Sequence, residues 1–299
     1  MSSRGLPLVR RVTRPAVALE TTLLLHGVPK DAAPSLAREL DEAVRANGAH
    51  PAVVGVVAGV PTVGMTGAEL DTLLRAPSVA KANSANLGAL VHARAHGATT
   101  MSATMELAAA VGVRVFATGG LGGVHPPGIA RFDISSDLGA LARFPLAVVT
   151  SGVKSLLDIP STREALEALG VPVVGFRTSD FPAFYQRRAA RPVAPVDARF
   201  DDEPDLARFL SFELARSGRG VVVANPIPEG DEIPEAQWRQ WLSTAEREAA
   251  DAGVIGRALT PFLLGRIHNL SEGRTLRANV ALVLNNARLA ARLAALIDL

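Results

Sequence analysis

Val148-Val149-Thr150-Ser151-Gly152-Val153-Lys154-Ser155 reads as a buried strand that runs into a tight turn and ends on a lysine. The same pattern, a short β-branched run closed by a polar turn, recurs along the chain. It predicts strands at 16–19, 53–57, 113–117, 146–149, 171–175 and 220–224. Between them lie Ala- and Leu-rich stretches with helical spacing at 35–47, 66–74, 102–111, 135–142 and 162–169. Thr66 with Glu69, and Ser161 with Glu164, have the spacing of capping boxes. This alternation argues for an α/β fold, layered α/β/α, with a mainly parallel sheet in a single domain spanning residues 1–299. The last third turns helical, at 204–217, 234–250, 260–270 and 275–296. Residues 1–14 read as a flexible N-terminal arm, and the Pro-, Arg- and Asp-rich stretch 181–204 as an exposed excursion.

The turn after residue 150 carries one of only three lysines, Lys30, Lys81 and Lys154, among 31 basic residues. A guanidinium stays protonated, whereas a lysine amine can lose its proton and act as a nucleophile. The apolar flanks of Lys154 predict desolvation, which disfavours the ammonium form and is one way a Schiff-base lysine becomes reactive. A phosphate-binding or snorkelling lysine accounts for the same residue equally well.

Composition excludes several classes. The chain has 299 residues, 48% of them hydrophobic, and a net charge of only +2 on 31 basic and 29 acidic groups. Its arginines are dispersed and aromatics make up 4%, so no basic-aromatic patch for nucleic acid is present. The absence of cysteine excludes disulfides and thiolate metal sites and is compatible with a cytoplasmic address. Arg4, Arg10, Arg11 and Arg14 have no apolar core segment among them, so the start does not make a secretory signal. The longest apolar run, 52–60, is too short to span a bilayer.

Polar residues gather where the predicted strands end: Glu20, Thr118-Gly119-Gly120, Ser151 to Lys154, and Asn225-Pro226. Ligands of open α/β sheets bind outside the carboxyl ends of strands, so these four could converge on one site. Two nucleotide motifs fail. Ser151-Gly152-Val153-Lys154-Ser155 lacks the glycines of a P-loop, and Gly119-Gly120-Leu121-Gly122-Gly123-Val124-His125 lacks the G-x-G-x-x-G register. Asp133-Ile134-Ser135-Ser136-Asp137 either caps a helix or holds a hard divalent cation through oxygen ligands. Thr99-Thr100-Met101-Ser102 opens an apolar helix with hydroxyls, where a phosphate could bind.

Together these segments resemble the pseudouridine-5′-phosphate glycosidase family, also called the indigoidine synthase A family. The likeness is carried by Ala18-Leu19-Glu20-Thr21-Thr22, His26-Gly27-Val28-Pro29, Gly97 to Met105 and Thr118 to His125. It continues through Phe132 to Leu138, Ser151 to Asp158, Val222 to Pro228, Thr260 to Leu264, and Ala278-Asn279-Val280-Ala281-Leu282 with Asn285-Asn286-Ala287, in order from about residue 15 onward. The resemblance implies a homotrimeric, Mn²⁺-dependent α/β/α enzyme that reversibly splits the C–C glycosidic bond between a base and ribose 5-phosphate. By position it makes Lys154 the covalent nucleophile, Glu20 the proton donor and Asp133 the metal ligand. It assigns substrate binding to Lys81, Met101, His125, Ser135, Ser136, Asp137 and Asn279.

Two stretches depart from the family pattern. After Lys81 the family usually reads Val-Ser-Arg-Arg-Asp-Leu, whereas this chain has Ala82-Asn83-Ser84-Ala85-Asn86-Leu87. Pro126 stands where an arginine commonly follows the Gly-Gly-Val-His run. Bidentate donors are lost while the covalent machinery is intact. Cleavage of pseudouridine 5′-phosphate is therefore the first expectation. The alternatives are a C-glycosynthase joining ribose 5-phosphate to a non-uracil aromatic aglycone, and an inactive sugar-phosphate-binding homologue.

Overall fold

The computed structural model describes residues 7–126, 133–188, 194–254 and 259–297, with the side chains of 259–261 left aside. In chain order the elements are β1 (Val9–Arg10), β2 (Ala16–Glu20), α1 (Thr22–His26), α2 (Ala33–Arg45), β3 (His50–Val57), β4 (Val60–Val63) and α3 (Gly67–Arg75). Next come β5 (Ala80–Ala82), α4 (Leu87–His92), β6 (Gly97–Thr99), α5 (Met101–Ala110), β7 (Val115–Ala117), α6 (Ser136–Leu141), β8 (Ala147–Thr150) and α7 (Ile159–Ala168). The chain continues through β9 (Val173–Phe176), β10 (Ala198–Phe200), α8 (Glu203–Ser217) and β11 (Val221–Ala224), and ends in three helices, α9 (Glu235–Asp251), α10 (Leu259–Leu270) and α11 (Arg274–Leu296). Among the described residues no helix is long and apolar enough to cross a membrane.

One sheet runs in the order β1-β4-β3-β2-β7-β8-β11-β9-β10, with β6 added to β3 and β5 added to β6. Its ladders are parallel except where β3 meets β4 and β6. Both faces are covered, which explains the continuous hydrophobic runs in the central strands. Successive residues point to opposite layers. Val115 and Ala117 face one layer with α2, α8, α9, α10 and α11, and Phe116 faces the other with α5, α6 and α7. Phe116 is fully buried, and truncating such a side chain to alanine costs about 3–5 kcal/mol. The expected α/β/α layering is thus the observed one.

Several local expectations change. Thr66 and Glu69 do form a reciprocal capping box. Ser161 and Glu164 do not, because Pro160 lets α7 begin earlier and the Asp158 side chain caps it by accepting from Ser161 N at 2.9 Å. The arm is not free from residue 9 onward: β1 pairs with β4, and Arg11 bridges Glu69 at 2.8 Å. The stretch 181–204 is no exposed excursion at its start, because Phe181, Ala183, Phe184, Tyr185 and Gln186 are all buried. Its apolar side chains outweigh the polar composition around them. Residues 189–193 of that stretch lie outside the described residues.

Candidate active site

Glu20 closes β2 and is 9% exposed, a carboxyl group set into the end of the sheet. Burial pushes its pKa above the ordinary carboxylate range, since water no longer solvates the charged form. The positive charge of Lys154 and a hydrogen bond from the Thr118 hydroxyl pull in the other direction, Lys81 adds to them, and Asp137 opposes. Oγ1 of Thr118 donates to Glu20 Oε1 at 2.5 Å.

Thr118 follows β7 and is held from beneath by α11. Nδ2 of Asn286 donates to the Thr118 carbonyl at 2.8 Å and to Ser151 Oγ at 3.1 Å. Oδ1 of Asn286 accepts from Asn225 Nδ2 at 2.9 Å, and Ser151 Oγ donates to the Asn225 carbonyl at 3.0 Å. Asn286 and Ser151 are 0% exposed. Asn225 is therefore a brace under the site, so three of the four expected strand ends meet in the cleft and the fourth supports them.

The turn after β8 is shaped by Gly152, whose φ is +86°, and a Cβ there would overlap the Pro182 carbonyl oxygen. Two backbone bonds fasten the turn to the glycine run after β7: Leu121 N to the Gly152 carbonyl at 2.8 Å, and Lys154 N to the Leu121 carbonyl at 3.1 Å. The segment 181–186 clamps it from outside, with Phe184 N donating to the Ser151 carbonyl at 2.9 Å and Ser155 Oγ to the Ala183 carbonyl at 3.2 Å. Burial falls on Val153, at 0% exposure, while the Lys154 side chain is exposed to the cleft. The desolvation expected from its apolar flanks is thus not the local environment of this amine. The turn keeps Ser151, Gly152 and Val153 buried and emerges into the cleft at Lys154.

Glu20, Lys81, His125, Asp133, Ser135, Lys154 and Asn279 all line one cleft of about 680 Å³. Lys81 reaches it from the short β5, and Lys81 and Lys154 both act electrostatically on Glu20. His125 Nε2 lies 3.7 Å from Asp133 Oδ2, and its Nδ1 is buried without a partner among the described residues. Asn279 Oδ1 is likewise buried and unpartnered, while Nδ2 donates to the Gly27 carbonyl at 3.5 Å. His26 also lines the cleft. Burial and the charges of Lys81 and Lys30 hold its imidazole below the usual range.

Three expected binding residues are not on the cleft wall. Met101 is buried at 2% in the apolar layer under α5. Asp137 is buried at 5% and accepts from Ser102 N at 3.2 Å and Gly122 N at 2.9 Å. It thereby fills the amino end of α5 with its own carboxylate, where the hydroxyl-rich start suggested a phosphate. Ser136 Oγ sits 3.0 Å from Ser102 Oγ, whereas Ser135 caps α6 by accepting from Asp137 N at 3.2 Å. Of the two readings of this acidic segment, capping accounts for Ser135. Asp133 remains the carboxylate open to the cleft, and among the described residues no group of three or more ligand-type side chains surrounds it.

The remaining wall was not singled out from the sequence. Phe184 and Tyr185 come from the segment after β9, Trp238 from α9, His268 from α10, and Thr275 and Leu276 from α11. The one available signal was scarcity: the chain has one tyrosine and two tryptophans, and Tyr185 and Trp238 both line the cleft.

The indigoidine synthase A-like family model matches residues 9–296. The chain belongs to this family. It is 49% identical over 281 residues to the pseudouridine-5′-phosphate glycosidase of Methylobacterium nodulans, covering 94% of this chain and 82% of the relative. The corresponding glycosidase of Solibacter usitatus is 45% identical over 293 residues, with 96% and 97% covered. Among solved structures in the family's fold, the prealnumycin C-glycosynthase AlnA in complex with ribulose 5-phosphate superposes with a TM-score of 0.87. It is 33% identical over 95% of this chain and 92% of its own. The indigoidine synthase A-like protein of Thermotoga maritima gives 0.86, at 35% identity over 97% and 96%.

Proposed function

We propose that this protein is an enzyme that makes and breaks the C–C glycosidic bond between ribose 5-phosphate and a base, acting first on pseudouridine 5′-phosphate. The observation that carries the reading is one cleft shared by a buried carboxyl at Glu20, its pKa raised by burial, and an accessible amine at Lys154, with Lys81 beside them. Relatives named pseudouridine-5′-phosphate glycosidase at 45–49% identity support the substrate.

A C-glycoside offers no departing heteroatom to protonate, so the ring oxygen has to take the proton. Glu20 in its acid form gives a proton to that oxygen while Lys154 Nζ bonds the anomeric carbon and the C–O ring bond breaks. The nitrogen lone pair then forms an imine, the electrons of the C–C bond leave with the base, and the base carbon takes up a proton. Water hydrolyses the imine to ribose 5-phosphate and free amine. Lys81 supplies a cation for the phosphate, and Ser135, Ser136, Asp137, Met101, His125 and Asn279 are assigned to the sugar and base, the buried ones through backbone and packing.

Asp133, an exposed carboxylate on the cleft, is the residue that would hold Mn²⁺ together with water, since carboxylate and water oxygens suit that ion. When bound it would supply positive field near the substrate. The homotrimer implied by the family belongs to the same reading and is checked by light scattering. A cytoplasmic address suits a phosphorylated sugar, which does not cross membranes unaided.

Borohydride reduction in the presence of ribose 5-phosphate tests the reading, with peptide mass mapping for an adduct on Lys154. Absence of an adduct rejects the imine route. AlnA, a C-glycosynthase, keeps the second reading open for this chain, and Ser84, Ala85, Asn86 and Pro126 motivate a different aglycone. Rapid turnover of pseudouridine 5′-phosphate removes the reason for that alternative. Binding of ribose 5-phosphate with no conversion of any C-nucleoside would leave only the inactive binder.

A further inference from the structure

The charged groups of the cleft account for a sugar phosphate but not for its aromatic wall. Phe184 and Tyr185 meet edge to face at 4.6 Å between ring centroids, and Tyr185 meets Trp238 at 5.4 Å with a tilt of 51°. Phe184 adopts φ +62°, a left-handed conformation that a bulky residue holds only when its surroundings enforce it. Its ring lies over the strand-end glycines, where a Cβ on Gly120 would press against it. The backbone of Tyr185 is fixed as well, its carbonyl accepting from Ile233 N at 3.0 Å. Tyr185 is 8% exposed and lines the cleft. The phenol is protonated at neutral pH, all the more so because burial raises its pKa, and its O–H can donate to a ligand in the cleft.

We propose that Phe184, Tyr185 and Trp238 form the aglycone subsite, in which a flat heterocycle packs on the aromatic wall and accepts a hydrogen bond on a ring carbonyl from the Tyr185 hydroxyl. The inference rests on the C-glycoside reading above. It makes the segment after β9 and the helix α9 determinants of which base is joined to ribose 5-phosphate, independently of the residues that handle the sugar. Uracil, with two ring carbonyls, is the probe.

Two measurements separate the halves of the reaction. Borohydride trapping of Lys154 with ribose 5-phosphate alone reads the sugar half, and the KM for uracil in the synthetic direction reads the base half. Tyr185→Phe should leave trapping unchanged and raise the KM for uracil about 3- to 10-fold, the effect of one neutral hydrogen bond. Trp238→Phe, which keeps a ring in place, should raise the same KM while also sparing trapping. A uracil KM unchanged in both variants, or trapping lost together with uracil affinity, would overturn the subsite. If the parent protein yields no trapped adduct, the C-glycoside reading fails by itself, and equilibrium dialysis of uracil against parent and Tyr185→Phe still decides the subsite by weaker or equal binding.

Discussion

Thr118 ties the Glu20 carboxyl to the last helix: its hydroxyl donates to Glu20 at 2.5 Å while its carbonyl accepts from Asn286 at 2.8 Å. The bond to Glu20 favours the ionised carboxylate and opposes the burial that favours the acid. Thr118→Val removes that donor, so the Glu20 pKa should rise further. The alkaline limb of the pH–turnover profile should then move to higher pH, and an unmoved limb would show that Glu20 does not set it.

The raised carboxyl also makes a stability prediction. The folded protein holds the Glu20 proton to higher pH than the unfolded chain does, so this group is neutral in effect below the unfolded pKa. Stability is lost as pH climbs from that value through the raised folded one. Glu20→Gln abolishes the ionisation yet still accepts from Thr118. It should therefore increase Tm relative to the parent, more at pH 8 than at pH 5, while turnover collapses. Differential scanning calorimetry across pH reads this directly.

The two cleft lysines should separate on substitution. Lys154→Arg keeps a charge but cannot form an imine, so turnover should fall to background with ribose 5-phosphate binding partly retained. Lys81→Arg still presents a cation to phosphate and should raise KM with measurable kcat. Its cost should be roughly 1.5–3 kcal/mol at most, the scale of one charge-assisted hydrogen bond. Residual turnover in the first variant and none in the second would reverse the roles.

Gly152→Ala places a Cβ against the Pro182 carbonyl at a φ of +86°. The segment 181–186 must then move, and the turn that carries Lys154 moves with it. The expected outcome is a folded protein by circular dichroism in which borohydride trapping is slowed at least about tenfold, as expected when a reacting group is misplaced.

Asn286→Leu removes an amide that serves Thr118, Ser151 and Asn225 together. Buried groups left without partners cost about 1–3 kcal/mol each, so urea unfolding should show a loss of at least about 2 kcal/mol. A change within error would mean that water replaces the amide.

Long β-branched runs made the central sheet legible: the strand read at 146–149 is Ala147–Thr150, and that read at 16–19 is Ala16–Glu20. The short strands Ala80–Ala82 and Gly97–Thr99 escaped because alanine and glycine carry no strand signal, and their place is set by pairing, β6 with β3 and β5 with β6. The charged half of the cleft was visible as strand ends plus the family likeness. The aromatic half was hidden because Phe184 and Tyr185 sit in a polar stretch whose burial depends on contacts with Ser151 and Ile233, far away in sequence.

The brace at Asn286 has a consequence for how the enzyme comes into being. Every strand of the sheet is made by residue 224, yet the amide that seats Thr118 under Glu20 is made sixty-odd residues later, in α11. A domain generally folds as a unit. The helix that closes one face of the sheet is therefore the same one that seats Thr118 beneath Glu20, so the scaffold and the setting of that carboxyl are completed together.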